Sequence, residues 1–190
     1  ELSRDFCIDL ELLSDNAFIP LKSMMAKMAT VSLVRADGSL RYFNGYVSQF
    51  ELIKTDGGFA FYRMVLGPWL GFARLREDCV SFQRRSVAEL TETTFGHYQE
   101  RDFRFSLLDA DPRLSCANQY NESDYNHLHR RWEALGLHYA YEHRADGHTL
   151  CLADNTAFAP WIDMGPQGGT GEMTFRSESG AGEDDGIETW

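Results

Sequence analysis

Residues 119–154, QYNESDYNHLHRRWEALGLHYAYEHRADGHTLCLAD, encode a helix and a hairpin in direct succession, and their punctuation decides how the rest of the chain is read. Ser123 is an N-cap whose hydroxyl can accept an otherwise unpaired amide, and Asp124 suits the positive end of the helix dipole. Tyr125, Leu128, Trp132 and Leu135 recur at helical spacing as one apolar stripe, and Gly136 supplies the left-handed residue on which helices end. Residues 137–142 and 148–152 then read as strands on either side of Asp146-Gly147, a hairpin turn pair. The predicted unit is helix, strand, turn, strand.

Upstream, residues 5–13 (DFCIDLELL) alternate apolar and polar side chains and predict a strand with one buried face. Residues 19–29 carry Pro20 at their start and Leu21, Met24, Met25 and Met28 on one side, which predicts a short helix whose methionines fill the core. Strands over 30–35, 41–52 and 60–68 are separated by Asp37-Gly38 and Asp56-Gly57-Gly58, an antiparallel meander. A small closed antiparallel β-barrel suits residues 1–75, because closure removes exposed strand edges. Ser86 and Glu89 form a capping box that opens a helix running to Phe95 and stopping at Gly96, and residues 102–108 alternate as a strand. Together with the opening stretch they make an α+β subdomain over 76–154, so the fold class is α+β and strand-rich. Residues 155–190 have the composition of a Gly/Pro/acidic linker, with Pro160, Pro166 and Glu183-Asp184-Asp185, and 187–190 read as the first strand of a further domain. The chain opens on Glu1 in strand-like sequence, so the barrel is expected to be incomplete at its N-terminal side and the chain to be a fragment.

Bulk properties narrow the partners. The 190 residues suffice for a substantial core, and a net charge of -11 repels phosphate, which argues against nucleic acid or an anionic membrane as a main partner. No run approaches the roughly 20 apolar residues of a membrane span, and no signal segment opens the chain. Other proteins are the expected partners. Cys7, Cys79, Cys116 and Cys151 are scattered without a CxxC pair, so they are expected as buried, reduced thiols.

Candidate chemistry fails on spacing. His127 and His129 lie two apart on a helix, roughly 200° around its axis, and cannot share a metal from one face. His143 and His148 flank the hairpin turn and can approach each other, but two imidazoles without a carboxylate or thiolate make a weak site. There is no HExxH and no GxSxG, and Gly168 to Gly171 (GGTG) lacks the Lys-Ser/Thr of a phosphate loop. Neither a catalytic residue nor a metal or cofactor site is expected.

The order Gln119, Tyr120, Glu122, Ser123, Asp124, Tyr125, Leu128, Arg130, Glu133, Gly136 and Asp154 resembles the middle of the VgrG family. These are the spike proteins of bacterial type VI secretion, similar to the hub of a contractile phage tail. Upstream, Arg41, Phe43, Gly45 and Val47 resemble a barrel strand of that family, and Pro68, Trp69, Leu70, Phe82 and Gln83 follow in its order. His127 and Arg131 stand where relatives carry apolar residues, and four residues apart they share a helix face. They are expected on a solvated edge, with a contact across a subunit interface as the alternative. Val80 and Ser81 also depart from the family's Arg and Ile.

The resemblance implies a barrel of the phage tail-hub type and a structural role without enzymatic activity. Its implied partners are two further copies in a homotrimer, a hexameric tube protein, baseplate components and secreted effectors. Assembly in the bacterial cytoplasm would precede delivery by the machine without a signal peptide. The alternatives are the hub of a prophage or contractile bacteriocin, and, in another class, a small-barrel flavin-binding enzyme. For that enzyme Arg84-Arg85 and Arg130-Arg131 are the candidate phosphate-binding cations.

Overall fold

The computed structural model describes residues 2–35 and 37–158. The linker reading of 155–190, the GGTG stretch and the strand expected at 187–190 fall wholly or mostly outside them.

Alternation builds the first half. Strand β1 (Ile8–Ser14) turns Ile8, Leu10 and Leu12 inward, and β4 (Phe59–Gly67) pairs antiparallel with it from Ile8↔Leu66 to Ser14↔Ala60. Strand β3 (Leu40–Asp56) serves two partners: its first part pairs with β2 (Met28–Val34), and its second part, from Tyr46 onward, pairs with β4. Register shifts between Val47/Gln49 and Leu52/Lys54 mark bulges, which bend a strand and sharpen its twist. The hydrogen-bonded order is β1-β4-β3-β2. Ile8, Leu10 and Leu12 from one edge and Ala29 and Val31 from the other pack on the same cluster of Val47, Phe50, Ala60, Tyr62, Met64 and Leu66. The sheet therefore curls, so that both edges face one core.

The helix expected over 19–29 shrinks to α1 (Leu21–Met24). Ala26 takes a left-handed φ of 57° and its N–H donates to the Val47 carbonyl, so the chain turns into the sheet and Met28 begins β2. Met25 and Met28 are more than two-fifths exposed, not core filling.

After Pro68 a 3-10 turn (Trp69–Arg74) leads to β5 (Glu77–Arg85), α2 (Val87–Phe95), β6 (Phe103–Ser106), β7 (Leu114–Ser123), α3 (Asp124–Ala134), β8 (His138–Arg144) and β9 (Gly147–Ala153). The capping box holds: Ser86 Oγ accepts from the Glu89 N–H, and the Glu89 carboxylate accepts from the Ser86 N–H. Strands β5 and β7 form an antiparallel ribbon that the sequence reading did not anticipate, while β6 pairs parallel and β8 antiparallel to β9. Trp69, Leu70, Leu90, Phe95, Leu128, Trp132, Leu150 and Leu152 are buried in one cluster. The mostly antiparallel sheets and the segregated helices make a strand-rich α+β fold.

The cysteine expectation is corrected. Cys7, Cys79 and Cys116 are exposed, because the last two sit on the outward side of the β5–β7 ribbon. Cys151 is half-buried, and burial pushes its thiol up to about 11.

Candidate functional site

The motif residues between Gln119 and Arg131 converge on a buried polar knot. Asp124 is fully buried at the start of α3. Arg76 Nη1 donates to both of its carboxylate oxygens at 2.9 Å, Tyr98 Oη to Oδ2 at 2.6 Å and Gln119 Nε2 to Oδ1 at 2.8 Å. Its own N–H donates to the Arg76 carbonyl at 3.0 Å. Burial, reinforced by the hydrogen bond to Asp124, pushes the Tyr98 phenol well above its usual range and keeps it a donor. Asp124 thus does more than suit a helix dipole: it pins the approach to β5, strand β7, the segment leaving α2 and helix α3 to one another. Ser123 is the N-cap, its Oγ accepting from the Asn126 N–H.

On the next turn Glu122 takes hydrogen bonds from Arg130 and from His127 Nδ1, the latter at 3.3 Å. Burial works to raise the Glu122 carboxyl, but these donors outweigh it and hold the group below the usual carboxylate range. Arg130 also caps the Asn118 carbonyl on the ribbon, so its guanidinium is already engaged. His127 overturns the solvated-edge expectation: it is fully buried and stacks on Phe82 with ring centroids 5.8 Å apart. Burial lowers its pKa, and its Nε2 has no hydrogen-bond partner. Arg131 is half-buried, and its Nε is likewise unpartnered among the described residues.

The other motif positions divide by role. Gly136 has φ +71°, the left-handed conformation that ends α3. A Cβ at Gly45 would stand 2.8 Å from the Gly67 carbonyl oxygen and 3.1 Å from Phe6, so only glycine fits this close approach of strands. Arg41 lies over the Phe43 ring at 5.0 Å. Pro68 opens the 3-10 turn, and the buried Trp69 donates from Nε1 to the Asp102 carbonyl. Gln83 and Tyr120 sit on the exposed side of the ribbon, Tyr120 being 81% exposed.

A second cluster joins the two halves, and in it His143 and His148 do approach each other across the hairpin, with ring centroids 5.8 Å apart. Along Leu40–Tyr46, β3 faces β2 on one side, and the same strand also meets β8 and β9. There the Asn44 N–H donates to His143 Nδ1 at 3.1 Å, and the Trp69 N–H donates to His148 Nε2 at 3.1 Å. Imidazole nitrogens occupy places that strand carbonyls fill elsewhere. Residues 3–6 cross the same seam as a strap. The Ser3 N–H donates to the Tyr139 carbonyl, and Asp5 accepts from Tyr141 Oη at 2.8 Å and from Arg74 at 3.0 Å. Phe6 packs edge-on against Tyr141, His143 and His148. The Arg74 guanidinium covers the Tyr125 ring at 3.4 Å. His129 Nδ1 donates to the Tyr125 carbonyl, which leaves Nε2 to accept from Tyr139 Oη at 2.9 Å. Among the described residues, no three His, Cys, Asp or Glu side chains are grouped to hold a metal ion. The carboxylates and imidazoles of both clusters hold elements in place, which is what a rigid joint requires.

The chain is similar to known proteins. The family described as phage tail baseplate hub (GPD) matches residues 1–190. The type VI secretion system spike protein VgrG1b of Pseudomonas aeruginosa is 32% identical over 154 residues, covering 81% of this chain and 21% of its own length. Among solved structures, the E. coli c3393 protein, a type VI secretion component with structural similarity to the T4 tail proteins gp27 and gp5, superposes with a TM-score of 0.76 at 22% identity. That match covers 82% of this chain and 44% of c3393. The 43 kDa tail protein of prophage MuSo2 from Shewanella oneidensis superposes at 0.57 with 12% identity, over 78% of this chain and 46% of its own. The chain thus spans about a fifth of the length of the curated relatives it matches.

Proposed function

The chain belongs to the phage tail baseplate hub family, in its VgrG branch of type VI secretion spike proteins, and on that premise we propose that it forms the hub through which three copies of a longer protein join a tube to a spike. Its role is mechanical, and family activities that are enzymatic belong to other domains. In this reading residues 1–75 and 76–154 act as two structural units. The first is a segment of the ring that meets a hexameric tube protein, and the second is a buttress behind it. Baseplate components and cargo effectors are the remaining partners, with assembly in the bacterial cytoplasm before delivery by the machine. Identity of 32% to the secretion spike proteins VgrG1b and VgrG1a, each over 81% of this chain, favours the secretion machine.

The surface of the first unit carries this reading. Residues 1–75 hold eight acidic and eight basic side chains, whereas 76–154 hold fourteen and nine. Identical copies repel least across a neutral face. That half also exposes Leu13, Phe18, Val34, Leu52, Ile53 and Phe59, each by more than two-fifths. Phe18, 90% exposed, stands on a loop held by its own hydrogen bonds. Tyr62 Oη donates to the Asn16 carbonyl and accepts from the Ile19 N–H, while Asn16 Oδ1 accepts from the Phe18 N–H. A pre-organised aromatic is the side chain expected at the centre of an interface. Arg131, half-buried and with its Nε unpartnered among the described residues, is the candidate for a polar contact specific to this protein.

Native mass spectrometry of a protein of the relatives' full length tests the proposal: a trimer is expected, and a stable monomer overturns it. Light scattering on the 190-residue chain should find a monomer or weak association. A stable trimer from that chain would place the assembly contacts within these residues rather than mainly outside them.

A further inference from the structure

We propose that His143 and His148 form an acid-sensitive latch between the curled sheet and the α+β half, closed at neutral pH and released by protonation of the imidazoles. The geometry requires neutral rings. His148 is 3% exposed, and its Nε2 accepts the Trp69 N–H, so the ring's proton resides on Nδ1, which is buried and has no polar partner among the described residues. Four rings enclose it: Phe6 at 5.3 Å, Tyr141 at 5.7 Å, His143 at 5.8 Å and Tyr46 at 6.0 Å. A proton added at Nε2 removes the acceptor of the Trp69 amide and puts a cation into this enclosure.

His143 responds differently. Its Nδ1 lies 3.1 Å from the Asn44 nitrogen and 3.0 Å from Asn44 Oδ1. The neutral ring accepts from the backbone, and the protonated ring can donate to the side-chain oxygen instead. Its loss is therefore partial, and the Asn44 N–H, on the β2–β3 part of the sheet, is left without an acceptor. With both rings charged, two cations stand 5.8 Å apart in a low-dielectric seam.

The surrounding charges add to this bias. Arg41 from β3 disfavours a charged His143, and Arg144 from the hairpin disfavours a charged His148, while Asp102, before β6, partly offsets it. Asp102 is itself paired with Arg144 at 2.6 Å. Tyr141 faces Asp5, and burial followed by that carboxylate raises the phenol far above its usual range, so it remains neutral. Burial, and then His143, lower the His148 pKa to about 4, whereas a free imidazole titrates near about 6.5. The folded pKa lies below the unfolded one, so the latch's contribution is complete above the unfolded value and declines as pH falls from there toward the folded one.

Hydrogen exchange measured by mass spectrometry at pH 7.0 and 4.5, corrected for intrinsic rates, reads the latch directly. Peptides containing Asn44 and Trp69 should exchange faster at pH 4.5 by a factor on the order of tens, while α3, with Leu128 and Trp132, keeps its protection. His148→Gln supplies an acceptor that does not titrate and should abolish most of that acid response. Equal protection of the Asn44 and Trp69 peptides at both pH values overturns the proposal, as does an unchanged acid response in His148→Gln. If the variant does not fold, the His148 ring titration in the unmodified chain decides by NMR: a pKa near that of free histidine refutes the latch, and one well below it supports it.

Discussion

The two halves of this molecule solve the burial problem differently. The α+β half has a deep core: Leu90, Phe95, Leu128, Trp132, Leu150 and Leu152 lose nearly all contact with water, Trp69 reaches into the same cluster from the segment after β4, and Asp124 ties the elements together from within. The sheet half has a thinner interior of six well-buried residues, and it leaves Phe18, Val34, Ile53 and Phe59 outside. One half is stable by its own packing, and the other is finished by what it docks against, the α+β half on one side and, in the proposed hub, neighbouring protein on the other. Charge divides the same way, since the excess of acid lies beyond residue 75.

Removing the knot tests whether the halves stand or fall together. Asp124→Ala leaves the Tyr98 and Gln119 donors without their shared acceptor, and Arg76, about a third exposed, with Asp78 alone; each buried donor left unsatisfied costs about 1–3 kcal/mol. Urea unfolding followed by near-UV circular dichroism should show one transition moved to much lower denaturant. Two separated transitions would mean that the sheet half does not depend on its buttress. A smaller loss is expected from Gly45→Ala, whose Cβ would press on the Gly67 carbonyl oxygen. Overpacking of this kind costs about 1–3 kcal/mol. Exchange should rise around Val47 and Leu66 while the Trp132 region stays protected, and a uniform rise would erase the distinction between the halves. The least effect on stability belongs to Phe18→Ser, within about 0.5 kcal/mol as for other surface changes. Sedimentation of the full-length variant should nevertheless show weakened association. Unaltered association would remove Phe18 from the interface.

Legibility followed local chemistry. Helix α2 announced itself by Ser86, Glu89 and Gly96, and α3 by Ser123, its Tyr125-Leu128-Trp132 stripe and Gly136. The turns at Asp37-Gly38, Asp56-Gly57-Gly58 and Asp146-Gly147 separated the strands as expected. Strands β5 and β7 were missed because their inward positions include polar Asp78, Gln119 and Ser123. Asn121, at φ 49°, also inserts a bulge that breaks the two-residue alternation. The methionines near residue 25 imitated a helical stripe, yet Ala26 turns the chain and hands Met28 to a strand. Capping accounted for Asp124 so adequately that nothing local pointed to Arg76, 48 residues away, or to Tyr98. The same holds for the seam: His148 meets Trp69 across 79 residues of chain, and no spacing encodes that.

The strap of residues 3–6 also sets an order of events in time. Strand β1 can pair with β4 once residue 67 has been made, but Ser3 and Asp5 bind Tyr139 and Tyr141, 136 residues further along. At ordinary synthesis rates of about 5–20 residues per second, the sheet half waits roughly 4–15 s on the ribosome for the hairpin that receives Phe6. Residues 3–6 are thus made well before the hairpin that holds them and can be placed only once it has formed.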